Sequence, residues 1–175
     1  MIQFRDKVLN DEAFRETAKR VLRMTCRAGV PLIVNDRVKI GIEIGADGVH
    51  IGSDDGDAQH IRATLPSHMI FGVSARCFDE ALAMDRVGAD YLGVGPIFPT
   101  LSKSDASQPM GMAELKRVID AIRTPVMVIG GVNATTLPAC IAAGVKGASV
   151  ISAVTRAPEM TAATKELMQI WNTPV

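Results

Sequence analysis

Gly88-Ala89-Asp90-Tyr91-Leu92-Gly93-Val94-Gly95 is echoed twice in the chain, by Gly45-Ala46-Asp47-Gly48-Val49-His50-Ile51-Gly52 before it and by Gly144-Val145-Lys146-Gly147-Ala148-Ser149-Val150-Ile151 after it. In each copy a glycine suited to ending a helix and a short polar turn lead into a run too apolar to leave one face in water. Such runs belong in a parallel sheet covered by helices. Outward from these copies, short β-rich runs alternate with longer segments of helical period. The spacing predicts strands over 2–5, 31–34, 48–51, 69–73, 91–94, 126–129 and 148–151, and helices over 11–28, 37–44, 58–65, 78–87, 112–122, 134–143 and 158–171. No linker, low-complexity tract or charge block divides the βα series, so the expectation is one α/β domain over residues 1–175. Seven such units fall one short of a TIM (β/α)8-type barrel, and because the sequence opens on a strand the absent unit is expected at the N-terminus, giving an N-terminally shortened barrel of about seven strands. An open doubly wound sheet is the structural alternative.

Composition narrows the partners. The chain has 175 residues, 47% of them hydrophobic and 22% charged, enough for a substantial core. Nineteen Lys plus Arg balance nineteen Asp plus Glu, so no global field favours nucleic acid or an anionic membrane, and any anion site must be local. The three cysteines, Cys26, Cys77 and Cys140, are far apart and lack metal-ligand spacing, which fits reduced thiols used in packing and a cytoplasmic location. The charged start Met1-Ile2-Gln3-Phe4-Arg5-Asp6-Lys7 is unlike a signal peptide, and no apolar run is long enough to span a bilayer.

In a barrel of this kind the chemistry sits at the C-terminal ends of the strands. After the strand at 91–94 comes Gly95-Pro96-Ile97-Phe98-Pro99-Thr100-Leu101-Ser102-Lys103, whose hydroxyls and lysine suit phosphate oxygens. An ordinary solvated loop would read the same way. Gln3, Arg5 and Lys7 share one face of an extended segment and offer an amide, a guanidinium fork and an ammonium; a solvated edge strand is the alternative. Asp36 and Asp55 follow neighbouring strands and could share a hard divalent ion such as Mg²⁺, or else Asp36, and Asp54 or Asp55, could cap the next helix. His50, inside an apolar strand, fits a hydrogen-bonded core histidine. Ser74 offers a hydroxyl to a phosphate oxygen, with no His-Asp pair at a suggestive position to make it a nucleophile. Gly130-Gly131 and Ile151-Ser152 end the late strands and read either as a second anion site or as turn chemistry.

Taken in order, Gln3-Phe4-Arg5-Asp6-Lys7, Asn35-Asp36-Arg37, Gly45 to Asp55, Gly72-Val73-Ser74, Gly93 to Lys103, Ile129-Gly130-Gly131 and Ile151-Ser152 resemble the thiamine-phosphate synthase family over nearly the whole chain. The resemblance implies a TIM barrel that joins 4-amino-5-hydroxymethyl-2-methylpyrimidine diphosphate to a thiazole phosphate, releasing pyrophosphate with the help of Mg²⁺. It implies Asp36 and Asp55 as Mg²⁺ ligands. Gln3, Phe4, Arg5, Asp6, Lys7, Asn35, Ser74 and Lys103 would take the pyrimidine diphosphate, with Arg5, Ser74 and Lys103 as the catalytic groups. Thr100, Leu101, Ser102, Gly131, Ile151 and Ser152 would take the thiazole phosphate. The family's opening strand and helix have no counterpart before Gln3, and Leu101 stands where the family carries a hydroxyl. A late start site, a shortened relative, or closure by a partner chain in a homo-oligomer would each account for the missing unit. The rival readings are a histidine-dependent thiazole tautomerase and a noncatalytic binder of phosphorylated ligands. Gly95-Pro96 with no histidine after it argues against the former, and the retained Arg5, Asp36, Asp55 and Lys103 argue against the latter.

Overall fold

A computed structural model describes residues 1–52, 55–100, 102 and 108–173. Its elements alternate as the hydrophobic pattern requires: β1 (Ile2–Phe4), α1 (Asp11–Arg27), β2 (Leu32–Asn35), α2 (Val38–Ile44), β3 (Gly48–Ile51), α3 (Ala58–Thr64), β4 (Ile70–Ala75), α4 (Phe78–Asp85), β5 (Tyr91–Val94), α5 (Gly111–Ala121), β6 (Val126–Ile129), α6 (Leu137–Ala142), β7 (Gly147–Ser149), α7 (Ser152–Thr155) and α8 (Met160–Asn172). All five strand pairings resolved are parallel. The chain forms two compact units, Met1–Ser74 with Val87–Asp90, and Ala75–Arg86 with Tyr91–Val175.

In the first unit the sheet order is β1-β2-β3-β4. Every residue of β2 and β3 is buried, as expected of strands covered on both faces. Phe14 and Ala18 on α1 join Leu32, Ile33, Val34, Val49, Ile51, Phe71 and Val73 in its core. Asn10 starts α1 by accepting a hydrogen bond from the Ala13 amide at 2.9 Å. By contrast β1 is largely exposed and ends at Phe4, one residue earlier than expected. In the second unit the order is β5-β6-β7, and Leu92, Val94, Ile97, Leu115, Val118, Val128 and Cys140 are buried. Here β7 stops at Ser149 rather than 151, and the residues that follow wind into α7, a four-residue helix too short for periodicity to announce.

The repeated motif has a physical basis in both units. Gly45, Gly88 and Gly144 all adopt left-handed φ values of 69°, 76° and 97°, which end the preceding helical segment at little cost. The aspartate two residues on has a second task. Asp47 Oδ2 accepts the amide of Leu32 at 2.8 Å, and Asp90 Oδ2 accepts the amide of Phe71 at 2.7 Å, so each fastens an amide of a neighbouring strand in the same unit. The third copy has Lys146 instead, whose own amide donates to the Val126 carbonyl at 2.8 Å.

Candidate active site

Two carboxylates meet in the first unit. Asp36 follows β2 and is the one non-glycine among the described residues with positive φ, at 64°. Aspartate tolerates this conformation better than most side chains, and strain of this kind collects at functional sites. Its amide donates to the His50 carbonyl at 2.9 Å, which fixes the turn against the end of β3. Asp55 folds back on the residue after β3: the Gly52 amide donates to Asp55 Oδ2 at 2.7 Å. A Cβ on Gly52 would meet that same oxygen at 2.7 Å, so any other residue there would push the Asp55 carboxylate aside. Neither carboxylate caps a helix. The residue before α2 is Arg37, which makes no side-chain cap, and α3 is capped by Asp57, which accepts from the Gln59 and His60 amides.

Asp36 and Asp55 lie side by side, close enough to hydrogen-bond when one of them is protonated. Burial pushes the Asp36 carboxyl up to about 6, and the bond and charge of Asp55 act in the same direction, against Lys7 and Arg5. Burial also works to raise Asp55, but the Asp36 bond, the Gly52 amide and the charges of Lys7 and Arg5 together hold it below the usual carboxylate range. Two carboxylates are thus crowded together beside two cations, an arrangement whose mutual repulsion a divalent ion would relieve. Asn35, buried at the end of β2, donates its side-chain amide to Asp36 Oδ1. Among the described residues no three His, Cys, Asp or Glu side chains cluster to hold a metal. A cation here would therefore draw the rest of its shell from ligand or water, the usual habit of Mg²⁺.

The segment after β1 supplies the positive charge. Lys7 Nζ lies 3.7 Å from Asp36 Oδ2, and Arg5 acts electrostatically on both aspartates. Asp6 does something else: Oδ1 accepts the amides of Val8 and Leu9, each at 2.8 Å, and shapes the turn. The Phe4 ring packs on Phe14 with centroids 4.6 Å apart, and Gln3 is exposed. Ser74, on β4, has its hydroxyl 2.9 Å from His50 Nε2. His50 is buried and partnered, the core histidine expected, yet the pairing with Ser74 was not foreseen. The β3 and β4 register, His50 opposite Gly72, puts Ser74 two residues further along and within reach, and nothing in the sequence states that register.

In the second unit Ser102 and Ser152, fifty positions apart, come together with a 3.0 Å hydrogen bond between their hydroxyls. The Ser102 amide also donates to Thr100 Oγ1 at 3.2 Å. Ile151 is 42% exposed, and Ser152 opens α7 rather than ending β7. The glycines after β6 are explained by packing: a Cβ on Gly130 would meet Pro96 Cβ at 2.4 Å, and one on Gly131 would meet Phe98 Cβ at 2.5 Å. The backbone of the 96–99 segment runs against them, with Ile97 N donating to Ile129 O at 3.0 Å and Phe98 N to Gly130 O at 3.1 Å. Leu101, Lys103 and the alternative cap Asp54 lie outside the described residues.

The family described as thiamine monophosphate synthase matches residues 1–154. The chain belongs to that family. A thiamine-phosphate synthase of Desulfitobacterium hafniense is 41% identical over 171 residues, covering 98% of this chain and 83% of the relative. One from Geobacillus kaustophilus is 45% identical over 173 residues, covering 97% and 78%. Among solved structures, thiamine phosphate pyrophosphorylase from Pyrococcus furiosus superposes with a TM-score of 0.89 at 34% identity, covering 97% of this chain and 81% of that one. The fold class is accordingly the TIM-type α/β fold of the thiamine monophosphate synthase family. Among the described residues no helix is long and apolar enough to cross a membrane.

Proposed function

We propose that this chain joins 4-amino-5-hydroxymethyl-2-methylpyrimidine diphosphate to 4-methyl-5-(2-phosphoethyl)thiazole, releasing pyrophosphate, with Mg²⁺ held by Asp36 and Asp55. The product, thiamine phosphate, is the one that membership of the family carries. What supports the diphosphate half is one juxtaposition: the adjacent carboxylates of Asp36 and Asp55 under the influence of Lys7 and Arg5. Asp36 and Asp55 would hold the cation, which when bound would supply a Lewis acid for the negative charge of the leaving pyrophosphate. Lys7 and Arg5 add fixed positive charge for the same oxygens, the compact ammonium and the planar fork playing complementary parts. Asn35 orients Asp36, as groups behind a metal ligand commonly do. Ser74 presents a hydroxyl whose orientation His50 sets.

The thiazole phosphate falls to Thr100, Ser102, Gly131, Ile151 and Ser152, of which the paired hydroxyls of Ser102 and Ser152 are suited to phosphate oxygens. Leu101 and Lys103 enter on the resemblance alone. No general base is required in this dissociative reaction, since the carbon–oxygen bond to pyrophosphate breaks first and the thiazole nitrogen, which carries no proton, then captures the pyrimidine methylene cation. The test is direct: the two phosphorylated heterocycles are mixed with the chain and Mg²⁺, and pyrophosphate and thiamine phosphate are measured. Equal amounts of both products are expected, and none with chelator present. Absence of both products with Mg²⁺ in excess would refute the reading.

A further inference from the structure

We infer that Arg37 is a positioning residue that ties the segment carrying Arg5 and Lys7 to the turn carrying Asp36, an assignment that rests on the diphosphate reading above. Arg37 stands at the residue before α2, where Ser, Thr, Asp or Asn would ordinarily cap, and it makes no side-chain cap there. Its guanidinium instead reaches back across the first unit. Nη2 donates to the Leu9 carbonyl and, at 3.5 Å, to that of Asp6; Nη1 donates to Asp11 Oδ1. Its Cζ lies over the Phe14 ring, 4.5 Å from the centroid, and Phe14 in turn packs on Phe4.

These contacts close a loop of chain. Asp6 and Leu9, whose carbonyls Arg37 holds, flank Lys7, and the Asp6 carboxylate fixes the same turn from within through the Val8 and Leu9 amides. Lys7 then meets Asp36, the covalent neighbour of Arg37. Two ends of one short circuit are thereby fastened: the side chain of Arg37 sets where the turn after β1 lies, and its backbone sets where Asp36 lies. The Arg37 side chain is only 21% exposed while that of Asp11 is 77% exposed, so the carbonyl bonds and the ring contact, rather than the ion pair, carry the restraint. A lysine could not replace it, because an ammonium lacks the fork whose two nitrogens reach the Leu9 and Asp6 carbonyls and Asp11 at once from over the ring.

The experiment compares the full chain with Arg37→Lys and Arg37→Met by two readouts. One is tryptic cleavage after Lys7 under native conditions, followed by mass spectrometry, which needs no turnover. The other is the apparent KM for each substrate at saturating partner and Mg²⁺. Cleavage about tenfold faster in both variants is expected, because a loosened segment opens more often. With it comes a KM for the pyrimidine diphosphate raised about tenfold and a KM for the thiazole phosphate within about twofold of wild type. Unchanged cleavage, an equal rise in both KM values, or recovery of the wild-type KM by Arg37→Lys would overturn the assignment. If the wild-type chain releases no pyrophosphate, the reading of function fails, and cleavage after Lys7 alone still decides whether Arg37 holds the segment.

Discussion

Asp36 carries three demands at once: a left-handed backbone, a partly buried carboxyl and a second carboxyl in contact with it. None of these helps folding, and the strained backbone alone costs on the order of 1–3 kcal/mol. Such a residue persists where something binds. Asp36→Asn and Asp55→Asn preserve shape and remove charge, so either should lower Mg²⁺-dependent product formation by about 100-fold or more, and Asp36→Asn, which neutralises a carboxyl whose charge burial opposes, should leave the melting temperature at or above wild type. Steady-state rates across a Mg²⁺ titration check this; wild-type rates in both variants would remove the pair from the reaction. The carboxylates were legible in the sequence because each follows a strand, where side chains of this fold gather. Their exclusion as helix caps was not, since that depends on Arg37 and Asp57 occupying the cap positions. Nor was His50 beside Ser74, which follows from cross-strand register rather than from any local pattern.

At the scale of elements, all seven strands were legible because they are short apolar runs between helix-ending glycines. What escaped notice was what fastens the elements to one another. Asp47 and Asp90 look like turn residues in the sequence, yet each spends its carboxylate on an amide of a neighbouring strand. Asp85 is the same kind of tie in the second unit. As the last residue of α4 it accepts from the Arg123 amide at 3.0 Å and from the Thr124 amide and hydroxyl, each at 2.8 Å, just before β6. Burial works to raise its carboxyl, but the Thr124 and Arg123 bonds prevail and hold it below the usual range. A carboxyl depressed in the folded state contributes stability that is present above its unfolded value, about 3.9, and is lost as pH falls through the lower folded value. Asp85→Ala should therefore cost about 1 kcal/mol at pH 6, discounted for exposure, and less at pH 3. Urea midpoints of wild type and variant at the two pH values measure the gap; a gap of equal size at both would mean the ionised carboxylate is not its source.

For the whole molecule, the diphosphate reading predicts that folding and ligand binding are linked. Pyrophosphate and Mg²⁺ should bind the folded chain together, because two protein carboxylates leave most of a divalent ion's shell to be filled by diphosphate oxygens and water. A ligand that binds only the folded state at about 100 times its Kd adds roughly 2.7 kcal/mol. For a chain of 175 residues that corresponds to a rise in Tm of about 5–10 °C. Each component alone should give much less: Mg²⁺ without diphosphate lacks most of its ligands, and diphosphate without Mg²⁺ faces Asp36 and Asp55 as well as Lys7 and Arg5. The shift should vanish with chelator and in Asp36→Asn, and inorganic phosphate in place of pyrophosphate should reproduce only part of it. Differential scanning fluorimetry over the matrix of additions distinguishes these cases. A pyrophosphate shift that survives both chelator and Asp36→Asn would place the anion elsewhere on the chain and separate the acidic pair from the diphosphate site.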